Sequence, residues 1–230
     1  MKQMPVPSSQ TRPLIAISPD LLDRNGHETI RVTSANAQRV WDAGGLGVVV
    51  PPIVATIPDL LARFDGFVFT GGDDPKTEPF GRTTHPETTP VHPVRQHFET
   101  ELLAALQSQA PDRPVLGVCL GMQMMALTRG GSLDQYMPDT TPTHRDHWES
   151  NHTVAGEHGY PSGEVRSKHH QAVSDPGSTR VVARAHDGVI EAIDDPSLPF
   201  FVGVQWHPER TDDPSMGQWF FDRLVQACRR

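Results

Sequence analysis

Cysteine is scarce: the 230 residues hold two, Cys119 in mid-chain and Cys228 near the end. Two cysteines so placed make no disulfide framework, and a reducing, cytoplasmic compartment is the expectation. Long apolar runs are missing too. No stretch approaches the ~20 apolar residues of a membrane span. The start, Met1-Lys2-Gln3-Met4-Pro5, lacks the apolar core of a signal peptide. Positive charge is in the minority, with 20 Lys and Arg against 28 Asp and Glu, a net charge of −8. That balance argues against nucleic acid, whose phosphates need a basic surface, and against an anionic membrane surface.

What is present fits a folded α/β domain. Hydrophobic residues make up 36% and charged residues 21%, ordinary for a globular protein. A chain this long buries roughly 70–75% of its unfolded surface and needs no disulfide or metal staple. Residues 1–12 are polar and rich in Pro and Ser and read as a flexible tail. Residues 13–230 read as a single domain, with no internal repeat and no linker.

Apolar runs at 13–18, 46–50, 67–70 and 114–118 are expected strands. Helices are expected over 34–43, 58–64, 95–108 and 121–128 between them. This alternation implies a three-layer α/β fold with a mainly parallel, doubly wound sheet and helices on both faces. Residues 75–94, rich in Pro, Thr and His, read as a long surface loop of the kind that carries function. Residues 138–170 are polar, His-rich and resist assignment. Short strands are expected at 172–173, 179–185, 189–193 and 200–206, an added small antiparallel sheet. A last helix covers 215–228.

The chemistry centres on Gly117-Val118-Cys119-Leu120-Gly121-Met122-Gln123. An apolar strand enters a sharp turn at the cysteine and a helix leaves it. The spacing Gly-x-Cys-x-Gly follows the nucleophile elbow of serine hydrolases, with Cys in place of Ser. The positive end of the helix favours the reactive thiolate. Cys228, in the final helix, reads as inert. A second apolar strand runs into Trp206-His207-Pro208-Glu209. In extended chain, residues two apart point the same way, so His207 and Glu209 can serve one site. His207 would accept the thiol proton and later protonate the leaving amine. Glu209 would fix its tautomer and stabilise the imidazolium.

Together these motifs resemble the class I, or triad, glutamine amidotransferases, whose flavodoxin-like fold matches the α/β pattern. The resemblance runs from Pro13 onward and implies a Cys119–His207–Glu209 triad. Further segments are similar to the branch typified by γ-glutamyl-γ-aminobutyrate hydrolase, the peptidase C26 group: Asp65-Gly66-Phe67-Val68-Phe69-Thr70-Gly71-Gly72, Gly130-Gly131-Ser132-Leu133-Asp134-Gln135, and Ser167-Lys168-His169-His170-Gln171. It implies an oxyanion hole from the backbone N–H groups of Gly72 and Leu120. Gln123, His170 and Gln171 are the implied substrate contacts. The implied reaction is hydrolysis of a γ-glutamyl amide through a thioester on Cys119, with a small-molecule γ-glutamyl substrate. The alternative is a glutaminase subunit delivering ammonia to a partner synthase, which Leu120, typical of the amidotransferases, favours. A homodimer is open. His144-x-x-His147, His152, His158 and His169-His170 match no metal-site spacing, and the resemblance implies no metal and no cofactor.

Overall fold

The computed structural model describes residues 11–229. The expected tail lies outside these residues except for Thr11 and Arg12. Arg12 stacks its guanidinium 3.7 Å above the Trp41 ring and donates to Trp41 O at 3.0 Å.

The first strand, β1 (Leu14–Ile17), leads into a hairpin of β2 (Asp20–Arg24) and β3 (His27–Arg31) that hydrophobic patterning passed over. Every residue of β3 is exposed, so no apolar alternation marks it. The turn chemistry does: Asn25 and Gly26 take φ of 56° and 77°, the left-handed pair that matches strand twist in a two-residue loop. Next come α1 (Ser34–Asp42), β4 (Leu46–Val49), α2 (Ile57–Arg63) and β5 (Gly66–Phe69). The long loop follows, then α3 (Pro93–Gln109). Pro93 suits the first helical position, where no N–H is needed, and His92 Nδ1 accepts from Val94 N. Burial of Phe98, Leu102 and Leu106 contributes ~1.5–3 kcal/mol per side chain to holding α3 down.

Then β6 (Val115–Val118) turns into α4 (Leu120–Thr128). The second half adds β7 (Ser132–Asp134), α5 (Met137–Thr140), β8 (Ser150–Gly156), β9 (Gly163–Ser167) and β10 (Ala172–Asp175). It closes with β11 (Arg180–Ala185), β12 (Ile190–Asp194), β13 (Phe201–Val204) and α6 (Gln218–Ala227). The stretch that resisted assignment thus contains β8, β9 and a 3₁₀ turn at His144–His147.

The strands β4-β1-β5-β6-β13 pair in parallel, in that order. At β13 the direction changes: β12, β11, β8 and β9 continue the same sheet antiparallel, and β10 and β7 branch from β12. The β2–β3 hairpin is a separate small antiparallel sheet. α1 and α6 pack Val40, Phe220, Phe221 and Leu224 into the core on one face. α2, α3 and α4 pack Leu60, Phe98, Leu102 and Met122 into the core on the other. This is the three-layer α/β architecture the strand–helix alternation implied. Its parallel strands end together, along the edge where open α/β sheets form their sites.

Candidate active site

Cys119 stands between β6 and α4 with φ 51° and ψ −105°. A non-glycine residue in that region is strained, by ~1–3 kcal/mol, and persists because its surroundings fix it. They are specific here. Cys119 N donates to Val204 O at 2.8 Å, pinning the turn to β13. Gly121 lies against β5 so closely that a Cβ there would stand 2.3 Å from Phe69 O. The elbow is therefore clamped between the strands that flank β6.

His207 follows β13, its N–H donating to Arg166 O at 2.9 Å. Its Nδ1 meets Glu209 Oε1 at 2.9 Å. The chain reaches that contact by a route the extended-chain argument did not foresee: Pro208–Arg210 is a 3₁₀ turn. Burial opposes a charge on His207, but hydrogen bonds to Cys119 and to Glu209 outweigh it and raise its pKa to about 10. Burial likewise opposes ionisation of Glu209, yet the bond to His207 and its charge hold the carboxyl below the ordinary range. The His207 imidazolium and the Glu209 carboxylate thus stabilise one another in a buried setting beside the Cys119 sulfur. Gly71 permits the approach, since a Cβ there would lie 2.9 Å from His207 Cε1 and 3.5 Å from Cys119 Cβ.

Leu120 opens α4, so its N–H is one of the donors a helix start leaves unpaired. Gly72 follows β5 on the other side of the cysteine. Neither N–H donates to a protein acceptor among the described residues. The Gly72 loop is held from beneath by the fully buried Arg95, which donates to Thr70 O at 2.7 Å and Gly71 O at 3.2 Å and pairs with Glu99 at 2.9 Å.

These groups open onto a cavity of about 700 Å³ lined by Cys119, His207, Gln123, His170 and Gln171, among others. The expected substrate contacts differ in what they offer. Gln171 is buried with both amide atoms unpartnered, a donor and an acceptor left unused at the cavity lining. Gln123 spends its amide on the backbone of Gln171 and on Gln205, both at 3.3 Å. His170 pairs with Asp74 at 2.9 Å, and that bond raises its pKa against the opposing effect of burial. Sequence reading gave Gln205 no role. It is fully buried and donates to Cys119 Sγ at 3.6 Å; the signal was a lone amide in an apolar strand. His169, which also lines the cavity, converges with the buried His147 and His152 on Glu191, which the spacing of the histidines did not single out. His144 instead bonds to Thr141 O, and His158 lies in a turn at φ 55°.

A solved structure with this fold is a candidate GMP synthase subunit protein of Thermoplasma acidophilum (TM-score 0.66, 17% identity, 96% of each chain covered). A candidate glutamine amidotransferase of Mycobacterium tuberculosis is 36% identical over 203 residues, 81% of this chain. The chain spans 64% of that relative's length. The γ-glutamyl-γ-aminobutyrate hydrolase of Escherichia coli K12 is 26% identical over 231 residues, 89% of each chain. Fold and relatives define the class of glutamine amidotransferase-like amide hydrolases. Within it, the Peptidase C26 profile matches residues 13–209, and the chain belongs to that family.

Proposed function

We propose that the protein hydrolyses the γ-glutamyl amide bond of a γ-glutamyl-amine, of the γ-glutamyl-γ-aminobutyrate kind, through a thioester on Cys119. The observation that carries this reading is the strained Cys119 elbow set against the His207–Glu209 pair. The thiolate attacks the γ-carbonyl carbon. The oxygen takes up the negative charge and is met by the N–H groups of Leu120 and Gly72, each donor worth ~3–4 kcal/mol in such sites. Protonated His207 gives its proton to the nitrogen as the C–N bond breaks, and the amine leaves. The now neutral ring takes a proton from water, whose oxygen attacks the thioester. Glutamate departs and the proton restores the imidazolium. Gln171 would hold the glutamyl end, since it lines the cavity and its amide is unengaged.

Intact-mass spectrometry with a panel of γ-glutamyl amides tests this. A γ-glutamyl adduct on the wild type that is absent from Cys119→Ala is the expected result. An adduct on another residue, or no amine released from any member of the panel, would sink the proposal.

The second reading is a glutaminase subunit serving a partner synthase. The likeness to a structure named for a GMP synthase subunit favours it.

A further inference from the structure

We infer that His147, His152, His169 and Glu191 form a tetrahedral binding site for a zinc-class divalent cation, adjoining the cysteine cavity through His169 and independent of what that site hydrolyses. All four side chains are buried, and one potential ligand atom from each lies within 4.8 Å of all the others. Glu191 Oε1 is 3.1 Å from His147 Nδ1, 3.5 Å from His169 Nε2 and 3.6 Å from His152 Nε2. Zinc bonds of ~2.0–2.1 Å set tetrahedral edges of about 3.3–3.4 Å between donors; the three edges to Glu191 bracket that length, and the donor set, within 4.8 Å overall, would draw in around an ion.

The contacts are too poorly directed to be hydrogen bonds. Both Glu191 oxygens, His147 Nδ1 and His169 Nε2 are buried without a hydrogen-bond partner. A dry carboxylate facing unengaged ring nitrogens is costly unless something bridges them. A cation does so at every donor at once.

The outer nitrogens are arranged as metal-bound histidines require, each beside an acceptor that fixes the tautomer. His147 Nε2 meets Asp187 Oδ2 at 3.0 Å, His169 Nδ1 meets Gln171 O at 2.9 Å, and His152 Nδ1 meets Thr153 O at 3.4 Å. One contact competes: Ser167 Oγ stands 2.8 Å from His152 Nε2 and must yield that nitrogen to the ion. Charge closes as well, because two positive charges offset Glu191 and Asp187. Four protein donors leave no open position, so the ion's role is structural. It would tie the 3₁₀ turn at His144–His147 to β8, β12 and the second residue after β9.

The test uses tag-free, full-length protein grown with zinc and purified in metal-free buffer. Elemental mass spectrometry is expected to find about one zinc per chain in the wild type and in Cys119→Ser, and less than a tenth of that in His147→Ala and Glu191→Gln. Stripping with dipicolinate is expected to lower Tm by about 10 °C, with recovery on adding Zn²⁺. If those variants do not fold, an anomalous-scattering peak in wild-type crystals decides, expected about 2.1 Å from the four donor atoms. No bound d-block metal together with an unchanged Tm in Zn²⁺ would overturn the inference. Zinc lost in Cys119→Ser, or an anomalous peak at the thiol, would overturn it as well.

Discussion

At the scale of single residues, the His207 proton governs the proposed chemistry. With its pKa raised to about 10, the imidazolium persists through neutral pH and is lost as pH rises through that value. Acylation by the wild type is therefore expected to hold through neutrality and fall on the alkaline side. Glu209→Gln removes one of the two bonds that raise the His207 pKa, so the fall should begin at lower pH. A rate profile that moves to higher pH, or does not move, would contradict the assignment of Glu209. Gln171 makes a different prediction. Its amide has no partner to lose, so Gln171→Ala should leave thiol alkylation near the wild-type rate while raising KM about tenfold, the effect of one hydrogen bond to a charged group. Steady-state kinetics and iodoacetamide labelling separate the two.

At the scale of elements, the elbow depends on how closely β6 and α4 press against β5. Gly121→Ala would place a methyl 2.3 Å from Phe69 O, a backbone atom that cannot turn aside. A loss of about 1–3 kcal/mol or more is expected by chemical denaturation, with the thiol less reactive because Cys119 loses its strained φ. The elbow and the base strand were readable in the sequence because each is a continuous run in which apolar strand, turn residue and nucleophile or base follow in order. So was α3, through the spacing of Phe98, Leu102 and Leu106. β3 was not, since it buries no side chain, although Asn25-Gly26 announced its turn. β8 and β9 were hidden for another reason. Their buried faces include His152 and Ser167, polar residues that pattern reading counts as solvent-facing. Glu191 escaped notice likewise, because a fully buried carboxylate reads as surface until its partners from distant segments are known. Sequence spacing reports neighbours along one element, and this cluster draws on four.

At the scale of the whole molecule, the proposed nucleophile, base, orienter and oxyanion donors all come from one chain. Hydrolysis of a γ-glutamyl amide by the purified chain alone is therefore expected. A hundredfold rise in glutamine hydrolysis on adding a synthase, from a negligible start, would favour the second reading instead. Cys119 and His207 follow adjacent hydrogen-bonded strands, with Val118 opposite Val204. The strands that carry them are thus held at the spacing of neighbouring strands, about 4.8 Å, a dimension set by peptide geometry in any sequence. The cavity walls come from other parts: Arg31 in the hairpin, Asp73 and Asp74 after β5, and Lys168 to Gln171 after β9. Reacting pair and walls are separable modules. A lineage built on this plan can exchange walls to change its substrate while the two strands that carry sulfur and imidazole stay the same distance apart.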